Sequence, residues 1–328
     1  MRKFGLSLIA AFGLIAGPIE AVANCKFGGQ EVACETSNGH YRIKTPSGAG
    51  PHPTVVYLYG SLGNSAQKIS ERGFVQAFVE RGYAVIVPAA LDIRYRDRVG
   101  SGWFLRNERG HKKRNDTKFV EEVLDDAEVR HRIDRSRVLI AGMSRGGFLA
   151  WEIACHNPRL AAAYAPIASG YLGKMPQQCA GPVRLMHTHG RTDPIVPLSP
   201  DNPWSSGGAR MQQLDSALER IAGTGGCHTQ KNVAKFREYS RSGWSDCISN
   251  ASVDLLVHNG GHDIPLSWYS TVVDWFEKGI RPPSSNVEAR PVQAGTPTFK
   301  GVGEGTPRFK GVGSSSGSRF KKAKVPTQ

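Results

Sequence analysis

The chain has 328 residues, 39% of them hydrophobic, which excludes a wholly disordered protein. Its 38 glycines and 20 prolines follow no G-x-y period, so collagen is excluded as well. Forty-two Lys and Arg against 28 Asp and Glu give a net charge of +14, which bears on solubility and anionic partners and not on fold.

The amino terminus reads as an export signal over 1–23. Arg2 and Lys3 form a positive start, Phe4 to Gly17 is apolar, and Ala21-Val22-Ala23 gives a small-x-small cleavage pattern. No apolar run reaches the roughly 18 residues needed to span a membrane. The expected location is therefore secreted or periplasmic, with the mature chain starting at Asn24. In such an oxidising space the six cysteines are expected to form disulfides. Pairing in chain order is expected: Cys25–Cys34, Cys155–Cys179 and Cys227–Cys247.

Residues 24–280 read as one domain of alternating strands and helices. Pro53 to Tyr59 is a buried strand, followed by a helix from about Asn64 to Gly82 and a strand Ala84–Pro88. Residues 94–114 then carry eight Arg or Lys, with Tyr95, Trp103 and Phe104 interleaved. They read as a solvated basic loop or a lid on the active-site side of the sheet. A helix from Asp116 to about Arg132 precedes a third strand, Val138–Gly142, and a helix from Arg145 to His156. Strands at Leu160–Ala168 and Val183–His187, a helix Ala209–Ala222, a strand Val253–Val257 and a helix Leu266–Lys278 complete the domain. This alternation implies an α/β fold, a mostly parallel sheet with helices on both faces and ligands at the strands' carboxyl ends.

The chemistry falls at those ends. Gly142-Met143-Ser144-Arg145-Gly146 is a G-x-S-x-G sequence between a buried strand and a helix, the context of a nucleophile elbow. Gly313 to Gly317 has the same pattern without that context. A serine needs a histidine to take its proton and a carboxylate to orient that histidine. Asp193, in the loop after Val183–His187, and His262, after Val253–Val257, follow in the chain order Ser, Asp, His. The oxyanion donors expected are the backbone N–H groups of Arg145 and of Ser61, with Leu62 as the second choice. Tyr59, Trp103 and Trp268 are the candidate substrate-binding side chains. His187 and His189 share a strand face, but with no third ligand in view a metal is not expected, and no cofactor is required.

From Val55 to about Phe276, roughly two-thirds of the chain, the sequence resembles exported α/β-hydrolases. The similar group is that of polyhydroxybutyrate depolymerases, feruloyl esterases and acetyl xylan esterases. The shared residues are the strand with its Gly60-Ser61 loop, Ile133-Asp134-x-x-Arg137-Val138, Gly142-Met143-Ser144-x-Gly146-Gly147, His189-Gly190-x-x-Asp193-x-x-Val196-Pro197 and Gly260-Gly261-His262. The resemblance implies that Ser144, Asp193 and His262 are a catalytic triad. One departure is Tyr59-Gly60, where the group usually has His-Gly. The expected activity is that of a serine carboxylic-ester hydrolase on a short-acyl, feruloyl or hydroxyalkanoate ester. The alternatives are a catalytically silent secreted binding protein and a serine peptidase on the same fold.

Residues 281–328 hold nine Lys or Arg and two Glu, a charge of +7. The segment repeats Gly-Thr-Pro-x-Phe-Lys-Gly-Val-Gly at 295–303 and 305–313. With few large apolar residues it is expected to be disordered. It is a candidate to hold the enzyme on an anionic polysaccharide or envelope surface, with no nucleic acid partner expected.

Overall fold

The continuous apolar runs form the centre of one ten-stranded sheet. Its strands are β1 (Cys34–Thr36), β2 (Gly39–Lys44), β3 (His52–Leu58), β4 (Ala84–Pro88), β5 (Ile133–Met143), β6 (Ala163–Ile167), β7 (Arg184–Gly190), β8 (Thr229–Phe236), β9 (Tyr239–Ser245) and β10 (Ser252–His258). They lie in the order β8-β9-β10-β7-β6-β5-β3-β4-β2-β1. The strands from β10 to β4 run parallel. An antiparallel pair flanks them at each edge. The structure is a computed structural model that describes residues 25–27, 30–31, 33–95, 98–108, 114–198 and 205–280. The expected signal segment (1–23) and basic tail (281–328) lie outside the described residues.

Helices cover both faces. They are α1 (Ser65–Ser70), α2 (Arg72–Val79), α3 (Asp116–His131), α4 (Arg145–His156), α5 (Leu214–Thr224) and α6 (Trp268–Ile280). Successive strand residues point to opposite faces. On β7, His187 meets Trp151 of α4 whereas Thr188 meets Trp268 of α6, so α4 and α6 lie on opposite sides of the sheet. Helix α2 packs beside α6, with Phe74 and Phe78 against Tyr269, and α3 packs beside α4. Strands β4 and β6, buried at every residue, read as unbroken apolar runs for that reason.

Two expected helices differ in the structure. The 64–82 stretch is two helices, because Glu71 takes an extended conformation (ψ 97°) between them. Asn64 caps the first by accepting from the Gln67 N–H at 2.7 Å. The expected helix from Ala209 begins only at Leu214, since Ala209 and Arg210 pair with Ser206 and Ser205. The basic stretch is not a plain loop either. Leu91–Tyr95 and Arg98–Gly102 form an antiparallel hairpin, and Arg114 is buried, its Nε 2.6 Å from Asp116 Oδ1. All three disulfides join the cysteines in chain order: Cys25–Cys34, Cys155–Cys179 and Cys227–Cys247.

Candidate active site

Ser144 occupies the turn between β5 and α4 with φ 52° and ψ −123°, a backbone region that non-glycine residues seldom adopt. The turn is tight enough to demand its flanking glycines. A Cβ on Gly146 would lie 2.0 Å from Leu58 O, and one on Gly142 would lie 2.5 Å from Gly146 O. The Ser144 N–H donates to Ile167 O at 2.9 Å, and its carbonyl accepts from the Phe148 N–H at 3.0 Å. The strained turn is thus held by the neighbouring strand and by the helix that follows. The side chain is left half-buried at the N-terminus of α4, where a helix dipole favours negative charge.

Asp193 and His262 come together from the ends of β7 and β10. A Cβ on Gly190 would lie 1.9 Å from Gly261 O, so the two loops pack backbone to backbone. The Arg191 N–H donates to His258 O at 2.8 Å, and the Thr192 N–H and hydroxyl both donate to Gly260 O. Asp193 Oδ1 accepts from the N–H groups of Ile195 and Val196, each at 2.8 Å, which fixes the carboxylate plane. Its Oδ2 accepts from His262 Nδ1–H at 2.8 Å, which leaves Nε2 of the neutral ring as an acceptor. Burial pushes the Asp193 carboxyl up. The hydrogen bonds from His189, His262, Val196 and Ile195 outweigh it and hold the group well below the usual carboxylate range.

The loop after β3 abuts this turn: a Cβ on Gly60 would lie 3.3 Å from Ser144 Cβ and 3.9 Å from its Oγ. The Leu62 N–H is engaged by Ser101 O at 2.9 Å. Of the two expected donors in this loop, Ser61 is therefore the one whose N–H has no partner among the described residues. Arg145, the other expected donor, opens α4, where a backbone N–H has no intrahelical acceptor.

The three side chains expected to bind substrate are placed elsewhere. Trp103 and Trp268 are fully buried, with their indole N–H groups donating to Tyr59 O (2.8 Å) and Thr188 Oγ1 (3.0 Å). Tyr59 is 5% exposed and its hydroxyl accepts from the Ala90 N–H at 2.7 Å. These residues present no surface to a ligand. Tyr59 and Trp103 brace the loop after β3 from beneath, so the Tyr-Gly departure serves as support. Ser101 Oγ adds a bond to Gly63 O.

Two features had no clear sequence signal. The Arg145 side chain, marked only for its backbone, pairs with Glu108 and donates to Trp103 O at 2.7 Å. His187 and His189 form a buried hydrogen-bonded pair, with Nε2 and Nδ1 3.0 Å apart. Their outer nitrogens meet Trp151 Nε1 at 3.2 Å and Val196 O at 2.8 Å, so all four ring nitrogens are engaged. Among the described residues the one cluster with metal-ligand spacing is Cys25, Cys34 and His131, whose sulfurs are joined in a disulfide.

A carboxylate-oriented imidazole, a hydroxyl on a strained turn and free backbone N–H groups are the parts that acyl transfer needs. The family described as esterase PHB depolymerase matches residues 40–201. A Nocardia uniformis subsp. tsuyamanensis protein named as an esterase, NocK, is 24% identical over 275 residues, covering 76% of this chain and 77% of its own. An Aspergillus niger protein named as feruloyl esterase C is 24% identical over 164 residues. That match covers 48% of this chain and 54% of the relative, so the chain spans about half its length. Among solved structures, an acetyl xylan esterase from Aspergillus awamori matches with a TM-score of 0.51 and 14% identity. It covers 73% of this chain and 93% of its own, a likeness of fold: the architecture is that of an α/β-hydrolase.

Proposed function

We propose, from the premise that the chain belongs to the α/β-hydrolase esterases of the polyhydroxybutyrate depolymerase, feruloyl esterase and acetyl xylan esterase group, that it hydrolyses carboxylic esters through Ser144. Ser144 Oγ attacks the ester carbonyl while His262 Nε2 takes its proton. Asp193 holds His262 in the Nδ1–H tautomer and stabilises the imidazolium. The N–H groups of Arg145 and Ser61 receive the tetrahedral oxyanion. The imidazolium then protonates the departing alkoxide, leaving an acyl-serine. Water, deprotonated by His262, attacks that ester, and Ser144 leaves with the proton as the acid is released.

The observation that carries this reading is the 2.8 Å bond between Asp193 Oδ2 and His262 Nδ1, from neighbouring strand ends, at the same carboxyl edge of the parallel strands as the strained Ser144 turn. Short-acyl, feruloyl and hydroxyalkanoate esters are the proposed substrate classes. Export is proposed from the apolar amino terminus, and the three disulfides suit an oxidising compartment. Attachment of the 281–328 segment to an anionic polysaccharide or envelope surface rests on its sequence charge alone. The test of the chemistry is release of p-nitrophenol from short-chain p-nitrophenyl esters by wild type and Ser144→Ala. Release by wild type and none by the variant is expected. Equal rates overturn the serine mechanism, and inactivity of both favours a silent binding protein. A panel of feruloyl, acetyl and 3-hydroxybutyryl esters then ranks the substrate classes.

A further inference from the structure

One buried polar chain lies behind the proposed acid, and the mechanism above does not use it. It starts on α4, the helix headed by Ser144, and ends on the loop that holds Asp193. Trp151, His187 and His189 are all fully buried. An indole nitrogen only donates, so Trp151 Nε1–H, 3.2 Å from His187 Nδ1, makes that nitrogen an acceptor. In the neutral ring the proton then sits on His187 Nε2, which donates to His189 Nδ1 at 3.0 Å. By the same logic His189 carries its proton on Nε2. That proton meets Val196 O at 2.8 Å, and the nitrogen lies 3.5 Å from Asp193 Oδ2, the oxygen that also receives His262 Nδ1–H.

A donor-only group at one end and a carbonyl at the other leave a single consistent proton arrangement. Burial drives the His187 imidazole well below its ordinary range, with the neighbouring His189 acting in the same direction, so the His187 ring stays neutral. Each end of the chain touches something the reaction needs in place. Val196 is bonded at both backbone groups, its N–H to Asp193 Oδ1 and its carbonyl to His189. The carboxylate is thus enclosed between the His189 ring and its own loop. Periodicity would explain two apolar residues at 187 and 189 on a strand this buried, and two imidazoles need another reason.

We infer that His189, backed by His187 and Trp151, is a positioning residue for Asp193 that couples the nucleophile helix to the carboxylate orienting His262. The inference rests on the serine-hydrolase reading above and adds to it. His189 touches no reacting atom. It sets the direction of the Asp193 carboxylate and, through it, of the His262 ring. Loss of the chain therefore lowers turnover while substrate binding stays as it was.

The test uses the full chain with His189→Phe, His189→Gln, His187→Phe, the double phenylalanine variant and Ser144→Ala, assayed on p-nitrophenyl butyrate. Misplacing a catalytic group by about 1 Å costs on the order of 10²-fold, so His189→Phe is expected to lose roughly that in kcat with KM nearly unchanged. A glutamine amide both accepts and donates, so His189→Gln is expected to recover most of the loss. His187→Phe is expected to show a smaller loss that vanishes once His189 is already phenylalanine, because the two act in series. The downfield proton resonance of His262 Nδ1–H is expected to shift in His189→Phe and to persist in His189→Gln. A folded His189→Phe with wild-type kcat and an unmoved resonance overturns the inference. So does a His189→Gln as impaired as the phenylalanine variant, since packing alone then matters. Should His189→Phe not fold, the His189→Gln and His187→Phe measurements decide by the same criteria. Ser144→Ala separates the two readings. Activity in that variant removes the serine mechanism, whereas an inactive Ser144→Ala beside an unimpaired His189→Phe removes the positioning role alone.

Discussion

The guanidinium of Arg145, the residue after Ser144, grips Glu108 through both terminal nitrogens, Nη1 lying 2.9 Å from Oε1. The same Nη1 lies 3.2 Å from Ser206 Oγ, and Nε donates to Trp103 O. One side chain thereby fastens the 103–108 segment and the 205–210 hairpin to the turn that carries Ser144. Both partners are only 10% exposed, so little water reaches either charge.

Glu108→Gln should therefore destabilise more than loss of a surface ion pair. Stripping one partner from a buried pair costs about 3 kcal/mol, which for a domain of this size lowers Tm by roughly 6–12 °C. A circular-dichroism melt checks it. A Tm unchanged from wild type would mean that the pair holds nothing.

Gly146→Ala should remove activity with the chain still folded and disulfide-bonded. The added Cβ would meet Leu58 O at 2.0 Å, and a backbone carbonyl in a central strand has no rotamer to escape into. The turn must open, taking Ser144 with it, at a cost of about 1–3 kcal/mol in stability. Specific activity and a denaturant titration of the same sample measure both effects. Full activity in Gly146→Ala contradicts the packing described for the turn.

Asp193→Asn keeps the shape of the side chain and reverses its bonding. An amide presents N–H to either His262 or the Ile195 and Val196 N–H groups, so the ring is no longer held with its proton on Nδ1. A fall in kcat of about 10⁴-fold is expected. Single-turnover kinetics with p-nitrophenyl acetate would show it as slow acylation. A loss of only a few-fold would place the orienting carboxylate elsewhere.

Stability should also report the buried imidazoles. His187 is held neutral by burial, facing Trp151 of α4 and His189 of its own strand, and burial lowers His131, His156 and His258 as well. A histidine whose folded value is depressed takes up its proton first in the unfolded chain. Stability is therefore complete above the unfolded value of about 6.5 and declines as pH falls below it. Each such group contributes a slope of up to about 1.4 kcal/mol per pH unit. His187→Phe should be shallower than wild type by that amount between about pH 6 and pH 5, as read from urea midpoints. Parallel curves would mean that His187 is already protonated in the fold.

Much of this was legible in the residues. Unbroken apolar runs marked the parallel strands β4 and β6 and the inner part of β3, because strands covered on both faces need no alternation. Ser144, Asp193 and His262 stood out because each follows such a run at a glycine-bearing turn. The edge hairpin β8–β9 left no such mark. Its strand Thr229–Phe236 is exposed or half-buried at every residue and polar along most of its length. The Arg145–Glu108 pair was hidden in a stretch whose net charge suggested solvent, since partners 37 residues apart announce nothing locally. Trp103 and Trp268 looked like ligand contacts because aromatic residues near a site serve either role. Only their buried indole bonds separate the two.

The central claim is that Ser144 is an activated nucleophile, and covalent capture tests it most directly. Wild-type protein is incubated with a fluorophosphonate, and the intact mass and tryptic peptides are recorded beside Ser144→Ala and His262→Ala. The phosphorus is attacked as an ester carbonyl is, fluoride departs, and the product is a phosphonyl-serine ester that persists. The account predicts one adduct per chain, on the peptide containing Ser144. It is expected to be absent from Ser144→Ala and formed far more slowly in His262→Ala, where no base takes the hydroxyl proton. An unlabelled wild type, or an adduct that Ser144→Ala retains, would contradict it.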